Sequence, residues 1–246
     1  MNSVDLYFGK IQEILQIVLE KERDKIEQVA DLFATSIQKK HTIFAFGCAH
    51  GAIPVEELFY RAGGLALINP IFNPCLMLNI KPVNLTSAFE QTSGQSSALL
   101  DATGAKSGDC ILIHSVSGRN PAIVEMALHA KEKGMNVVGL TNLTYSMASS
   151  SRDKSGKLLY QVCDIVIDNH GEFGDAAVEI PGLNGKAGPT SSAIGITIVN
   201  SIAVRTSEIL SERGVVPPVF LSANRDDSKE HNRKIMNEYR DFILYL

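Results

Sequence analysis

Ser115, Ser117, Gly118, Arg119 and Asn120 fall within six residues, directly after the apolar run 110–114 and directly before Pro121. Asn is favoured at a helix cap and Pro at the first helical position, so the spacing predicts a strand, this loop, and a helix opening at Asn120-Pro121. Free N–H groups and the positive end of a helix dipole favour an anion at such a place. The two serine hydroxyls add donors. Gly118, lacking a Cβ, lets the backbone approach a ligand closely or take a positive φ. Arg119 either supplies a charged fork or points to solvent. The chemistry this set suits is holding a phosphate; the plainer alternative is that Ser and Asn merely cap a helix.

A second loop, Gly47-Cys48-Ala49-His50-Gly51, follows the apolar run 42–46 and also leads into a helical segment. It invites comparison with the dinucleotide fingerprint GxGxxG, but Ala49 and Ala52 replace its second and third glycines. Where that motif wants an acid for a ribose hydroxyl, about 20 residues on, stand Ile68, Asn69 and Pro70. Nucleotide binding is therefore disfavoured. In an open parallel sheet ligands bind beyond the carboxyl ends of the strands. That places Gly47, Ala49, His50 and the strand-end Thr141 as candidate substrate contacts.

Stepping from loops to elements, residues 4–37 place Val4, Tyr7, Phe8, Ile11, Ile14, Leu15 and Val18, then Ile26, Val29, Ala30, Phe33 and Ile37, at helical spacing. From residue 42 short β-rich runs alternate with helical segments, the pattern of βαβ units and a parallel sheet. Strands are expected at 42–46, 110–114, 137–141 and 163–168, with a shorter one at 65–68. Helices are expected at 54–62 and 121–133, the second closed by Gly134. An exposed Ser-rich loop is expected at 146–157, a mostly apolar helix from 193 to about 210, and a last helix from Asp227 to the C-terminus, with Asp227 and Glu230 at capping-box spacing. The expected whole is a single α/β domain over 1–246: helices in 1–40, an α/β core over 41–214, and a C-terminal extension and helix over 215–246.

Composition narrows the function classes. Of 246 residues, 45% are hydrophobic and 20% charged, an ordinary globular balance. A formal charge of -4 without long runs of either sign leaves no electrostatic footprint for nucleic acid or an anionic membrane. Cys48, Cys75, Cys110 and Cys163 are widely separated and form no CxxC pair, against a zinc site and a disulfide framework. No metal or cofactor is expected, and without a signal-peptide pattern the expected location is cytoplasmic.

The segment CILIHSVSGRNP, with VVGLTN and CDIVID, resembles the SIS (sugar isomerase) family of phosphosugar-binding domains over roughly residues 40–210. The chain is most similar to the group labelled UPF0309, itself similar to phosphoheptose isomerases. That resemblance also takes in EELFYRAGG, GDAAVEI, GPTSSAIG and PPVFLSAN. It implies a five-stranded parallel sheet of flavodoxin-like topology in three α/β/α layers. It further implies a homodimer or homotetramer with pockets completed by a neighbour, and a phosphorylated sugar as ligand. Ser115 and Ser117 match the family's phosphate hydroxyls. The chain departs from the pattern at Asn120, where the family has a third hydroxyl, and at Ala49 and Gly51, where its first loop reads GxGxS.

Aldose–ketose isomerisation needs a carboxylate to move a proton between neighbouring carbons, and usually an imidazole to open the ring. The resemblance implies a glutamate near the helix after the first loop, so Glu56 and Glu57 are candidates. Helical geometry sets Glu57 under His50, two turns on, and makes it the preferred base; alternatively both are solvated surface acids. His231, in the first turn of the last helix where the dipole favours a neutral imidazole, is the second catalytic candidate or an ordinary surface histidine. His50 and His170 stand in loops after strands. Asp175 and Glu179 face the pocket or serve a turn or salt bridge, and His41, His114 and His129 read as structural. Three functions follow: an isomerase, a non-catalytic phosphosugar sensor, or a lyase or etherase acting on a phosphorylated amino sugar.

Overall fold

The computed structural model describes residues 2–246. Helix α1 (Ser3–Lys21) opens on a capping box in which Asn2 accepts from the N–H of Val4 and Asp5, and Asp5 accepts from that of Asn2. Glu22 separates it from α2 (Arg23–Gln38). The core then runs β1 (Ile43–Gly47), α3 (Ile53–Leu58), β2 (Ile68–Pro70), α4 (Leu85–Glu90), α5 (Gln95–Ala102), β3 (Cys110–His114), α6 (Pro121–Glu132), β4 (Asn136–Thr141), α7 (Leu143–Met147) and β5 (Ile165–Asp168). The hairpin β6 (Ala176–Glu179) and β7 (Lys186–Pro189) precedes the long helix α8 (Ser191–Glu212), and α9 (Ser228–Glu238) follows.

Five strands form one parallel sheet in the order β2-β1-β3-β4-β5. The chain leaves β1 in one direction to build β2, then returns across it to build β3. This flavodoxin-like order puts a topological switch point, and a crevice, between β1 and β3. The strands read as continuous apolar runs because both faces are covered. Ile43, Ala45, Cys110, Leu112, Val138 and Leu140 pack towards α2, α3 and α8, whereas Phe44, Phe46, Ile111, Ile113 and Val137 pack towards α5 and α6. The result is three layers, α/β/α. By composition α8 is long and apolar enough to cross a membrane, but its apolar stripe, Ile194, Ile198, Val199, Ile202 and Leu210, is buried in the first of these cores.

Several elements end earlier than their sequence pattern suggests, each for a visible reason. The run 65–68 is divided: Leu65 bridges antiparallel to Val219, Ala66 N–H donates to the Pro218 carbonyl, and only Ile68–Pro70 pairs with β1. Helix α3 stops at Leu58 because Phe59 turns extended and Tyr60 takes φ 44°. Both rings join an aromatic group with Phe72, Phe220 and Tyr245. Helix α9 ends at Glu238 rather than the C-terminus, since Asn69 captures the Leu244 N–H and the Phe242 carbonyl and lays the tail along the sheet edge. No capping box starts it, because Asp227 is held by the Arg225 guanidinium instead. The strand expected at 163–168 begins at Ile165, after the Asp164 carboxylate has taken the Val137 N–H.

Candidate functional site

The two loops expected to carry chemistry emerge side by side at the switch point, because β1 and β3 are hydrogen-bonded neighbours with Gly47 opposite His114. Their construction differs. In the first, a Cβ on Gly47 would stand 2.2 Å from the Gly51 carbonyl oxygen, and one on Gly51 2.9 Å from that of His114. Both glycines therefore exist for close backbone packing. Ala49 takes φ 49° and His50 is exposed. The loops are joined by His114, fully buried, whose Nδ1–H donates to the Gly51 carbonyl at 2.9 Å. Burial pushes the proton affinity of this imidazole down.

The second loop is half-buried, and Gly118 within it is buried. Gly118 has φ 59° and its N–H donates to Ser115 Oγ at 3.2 Å. A Cβ there would stand 2.9 Å from that of Leu159. Val116 accepts from Thr141 Oγ1 and from the Asn142 N–H, which pins the loop to the end of β4. Asn120 and Pro121 open α6 as the sequence predicts, yet the Asn120 side chain makes no capping bond. Its Nδ2 donates to Glu90 Oε2 at 2.7 Å and its Oδ1 accepts from Arg152 Nη1 at 3.0 Å. The N–H groups of Ser117, Arg119 and Asn120 have no acceptor among the described residues. Together the serine hydroxyls, the unpaired N–H groups and the helix N-terminus form a cradle for an oxyanion.

Glu90 and Arg152 escape sequence reasoning. Glu90 ends α4, in a polar stretch with little periodicity. Arg152 lies in the Ser-rich segment 146–157, read from sequence as an exposed loop. That segment is mostly exposed, as expected, yet it is tied to the site: Ser146 and Asp153 are buried, and the Arg152 N–H donates to the Arg119 carbonyl at 2.9 Å. Burial raises the Glu90 carboxyl above its ordinary range, while the Asn120 hydrogen bond and the charges of Arg152 and His50 pull it back. Nearby is the buried Cys48, whose thiol is pushed well up by burial and then by Glu90.

Other expected site residues are placed elsewhere or hold the loop from behind. Arg119 reaches Ser150 Oγ at 3.0 Å, with a buried, unpaired Nε, so Arg152 rather than Arg119 is the guanidinium at the cap. Thr141 is fully buried and spends its hydroxyl on the loop backbone. Glu57 accepts from Asn200 Nδ2 on α8 at 3.0 Å and pairs with Arg61, whereas Glu56 is exposed. His231 Nε2–H donates to the Val219 carbonyl at 3.0 Å and helps dock α9. Asp175 accepts from the N–H groups of Thr190 and Ser191 and caps α8, and Glu179 is exposed on β6. His170 reaches Glu22 Oε1 at 3.0 Å, tying β5 to the α1–α2 joint.

Comparison with known proteins matches the SIS domain family over residues 6–142. The chain belongs to the SIS-domain family. A UPF0309 protein of Shouchella clausii is 44% identical over 246 residues, covering 100% of both chains. Among solved structures, a phosphoheptose isomerase from Francisella tularensis shares the fold with a TM-score of 0.56 at 16% identity, over 85% of this chain and 100% of that one. One from Neisseria gonorrhoeae gives 0.53 at 15%, over 85% and 97%.

Within this SIS fold, the departures noted in the sequence have structural counterparts. Ala49 occupies the left-handed conformation that glycine adopts without strain, so the backbone path of the first loop survives the substitution. A serine at position 51 would have no room, since His114 backs onto it. At position 120 the side chain is turned away from capping and bridges an acid and a cation instead.

Proposed function

We propose that this protein binds a phosphorylated sugar at loop 115–120 and interconverts its aldose and ketose forms. The observation that carries the reading is the Ser115–Asn120 loop at the β1/β3 switch point, with N–H groups and a Ser117 hydroxyl that have no partner among the described residues, and with Arg152 bonded to Asn120. The family and the phosphoheptose isomerase fold of its structural neighbours support it. A dianion there gains charge-assisted hydrogen bonds, each about 1.5–3 kcal/mol. Thermal unfolding with sugar phosphates, the matching free sugars and nucleotides tests it. A ligand at a hundred times its Kd adds ~2.7 kcal/mol, a rise of roughly 5–11 °C for a chain of this size. Only sugar phosphates should give it; stabilisation by nucleotides and by no sugar phosphate would refute the reading.

A non-catalytic phosphosugar sensor is the second reading. What favours it is that Glu57 and His231, the base and the second catalytic candidate expected from sequence, are each bonded to other parts of the chain. A homodimer or homotetramer fits either, given exposed Val4, Phe8 and Leu19 on α1 and Val204 on α8. Sedimentation as a monomer at micromolar concentration would count against it.

A further inference from the structure

We propose that Glu90 is the acid–base group of this site, moving a proton between neighbouring carbons of a sugar phosphate seated on loop 115–120. The proposal rests on the phosphosugar reading. Its basis is position: among the carboxylates, Glu90 is the one hydrogen-bonded to the loop itself, through Asn120 Nδ2 at 2.7 Å. Glu57, by contrast, is spoken for by Asn200 and Arg61.

The groups around Glu90 suit the task. Asn120 at the start of α6 is held from its other side by Arg152, at 3.0 Å, so one amide fixes both the acid and the cation. His50, from the loop after β1, and Arg152, from segment 146–157, act on it as charges, and the buried Cys48 thiol lies against it. An acid held by an amide and near a guanidinium, beside an anion cradle, is oriented without being locked into an ion pair. Burial makes it a stronger base than an exposed glutamate.

In the aldose-to-ketose direction the Glu90 carboxylate takes the proton from the carbon next to the carbonyl. The C–H electron pair becomes the C=C bond of an enediol while the carbonyl oxygen gains a proton from water. The enediol then collapses: its second hydroxyl returns a proton to water and becomes the ketone, and the former carbonyl carbon takes back the proton held on Glu90. Nothing is oxidised or reduced overall, and no co-reactant is needed.

The test is deuterium incorporation from heavy water into an aldopentose 5-phosphate, a ketohexose 6-phosphate and a ketoheptose 7-phosphate, with binding of each followed in parallel by thermal shift. Wild type and Glu57→Gln should label the carbon next to the carbonyl of whichever sugar binds. Glu90→Gln should bind that sugar as well or better, having lost a negative charge beside the phosphate, yet label it at least ~100-fold more slowly. Glu90→Asp should recover part of the rate. Labelling by Glu90→Gln at the wild-type rate, or a wild type that binds tightly and labels nothing, would overturn the assignment. Failure of every variant to bind any of the sugars would instead remove the phosphosugar reading, and the assignment with it.

Discussion

The two loops at the β1/β3 crevice look alike in sequence, each a short glycine-containing turn from strand to helix, and differ in what their glycines do. Gly47 and Gly51 let two backbones touch, and the loop they build is closed against His114. Gly118 turns the chain through a positive φ, and the N–H groups of Ser117, Arg119 and Asn120 around it find no acceptor among the described residues. Glycine thus serves close backbone packing in the first loop, whereas in the second it both sets a positive φ and admits the Leu159 side chain.

Substitutions sharpen that contrast. The largest effect is expected for Gly47→Ala, where the new methyl would overlap a backbone carbonyl that cannot swing aside. It should lose about 3 kcal/mol, ~6–12 °C in Tm; an unchanged melting curve would show that the first loop is not tightly packed. Gly118→Ala meets both an unfavourable φ and the Leu159 side chain. It should lose about 2 kcal/mol in urea unfolding, together with the stabilisation that sulfate gives the wild type. Retained sulfate binding would separate loop shape from anion recognition. Ala49→Gly should act the opposite way, adding roughly 0.5–1 kcal/mol by relieving a left-handed alanine, with no loss of ligand.

The smallest effect concerns pH. Burial holds the Glu90 carboxyl above its ordinary value of 4.5. Its share of stability is therefore full below the unfolded pKa and lost as pH rises through the folded one. Glu90→Gln escapes that loss and should gain on the wild type in urea melts as pH rises from the ordinary value towards neutrality. A difference independent of pH would mean that the carboxyl is not held out of water.

The architecture was legible because β-rich runs alternate with helical ones, and because Asn120-Pro121 and Gly134 mark the two ends of α6. The placement of loop 115–120 between β3 and α6 was legible for the same local reason: its residues are consecutive. Elements failed where distant chain intervened, as when Pro218 and Val219 divide the run at 65–68, or Asn69 ends the last helix early. Glu90 and Arg152 were hidden for this reason too. Each lies some thirty residues from Asn120, with separations of 30 and 32, in segments without periodicity, and no spacing rule joins them. Glu57 drew attention through a helical projection from His50. The turn at Ala49–Ala52 is a 3-10 helix, which rotates each residue further than an α-helix does and so spoils the projection.

Whether loop 115–120 holds the phosphate is read from the affinity ratio between a sugar phosphate and the same sugar without phosphate, in wild type and in Ser117→Ala, by calorimetry. The Ser117 hydroxyl has no protein partner among the described residues, so removing it should leave folding unchanged. If the loop holds the phosphate, the ratio is at least ~10-fold lower in the variant, the loss of one hydrogen bond to a charged group. An equal ratio in both proteins would contradict it.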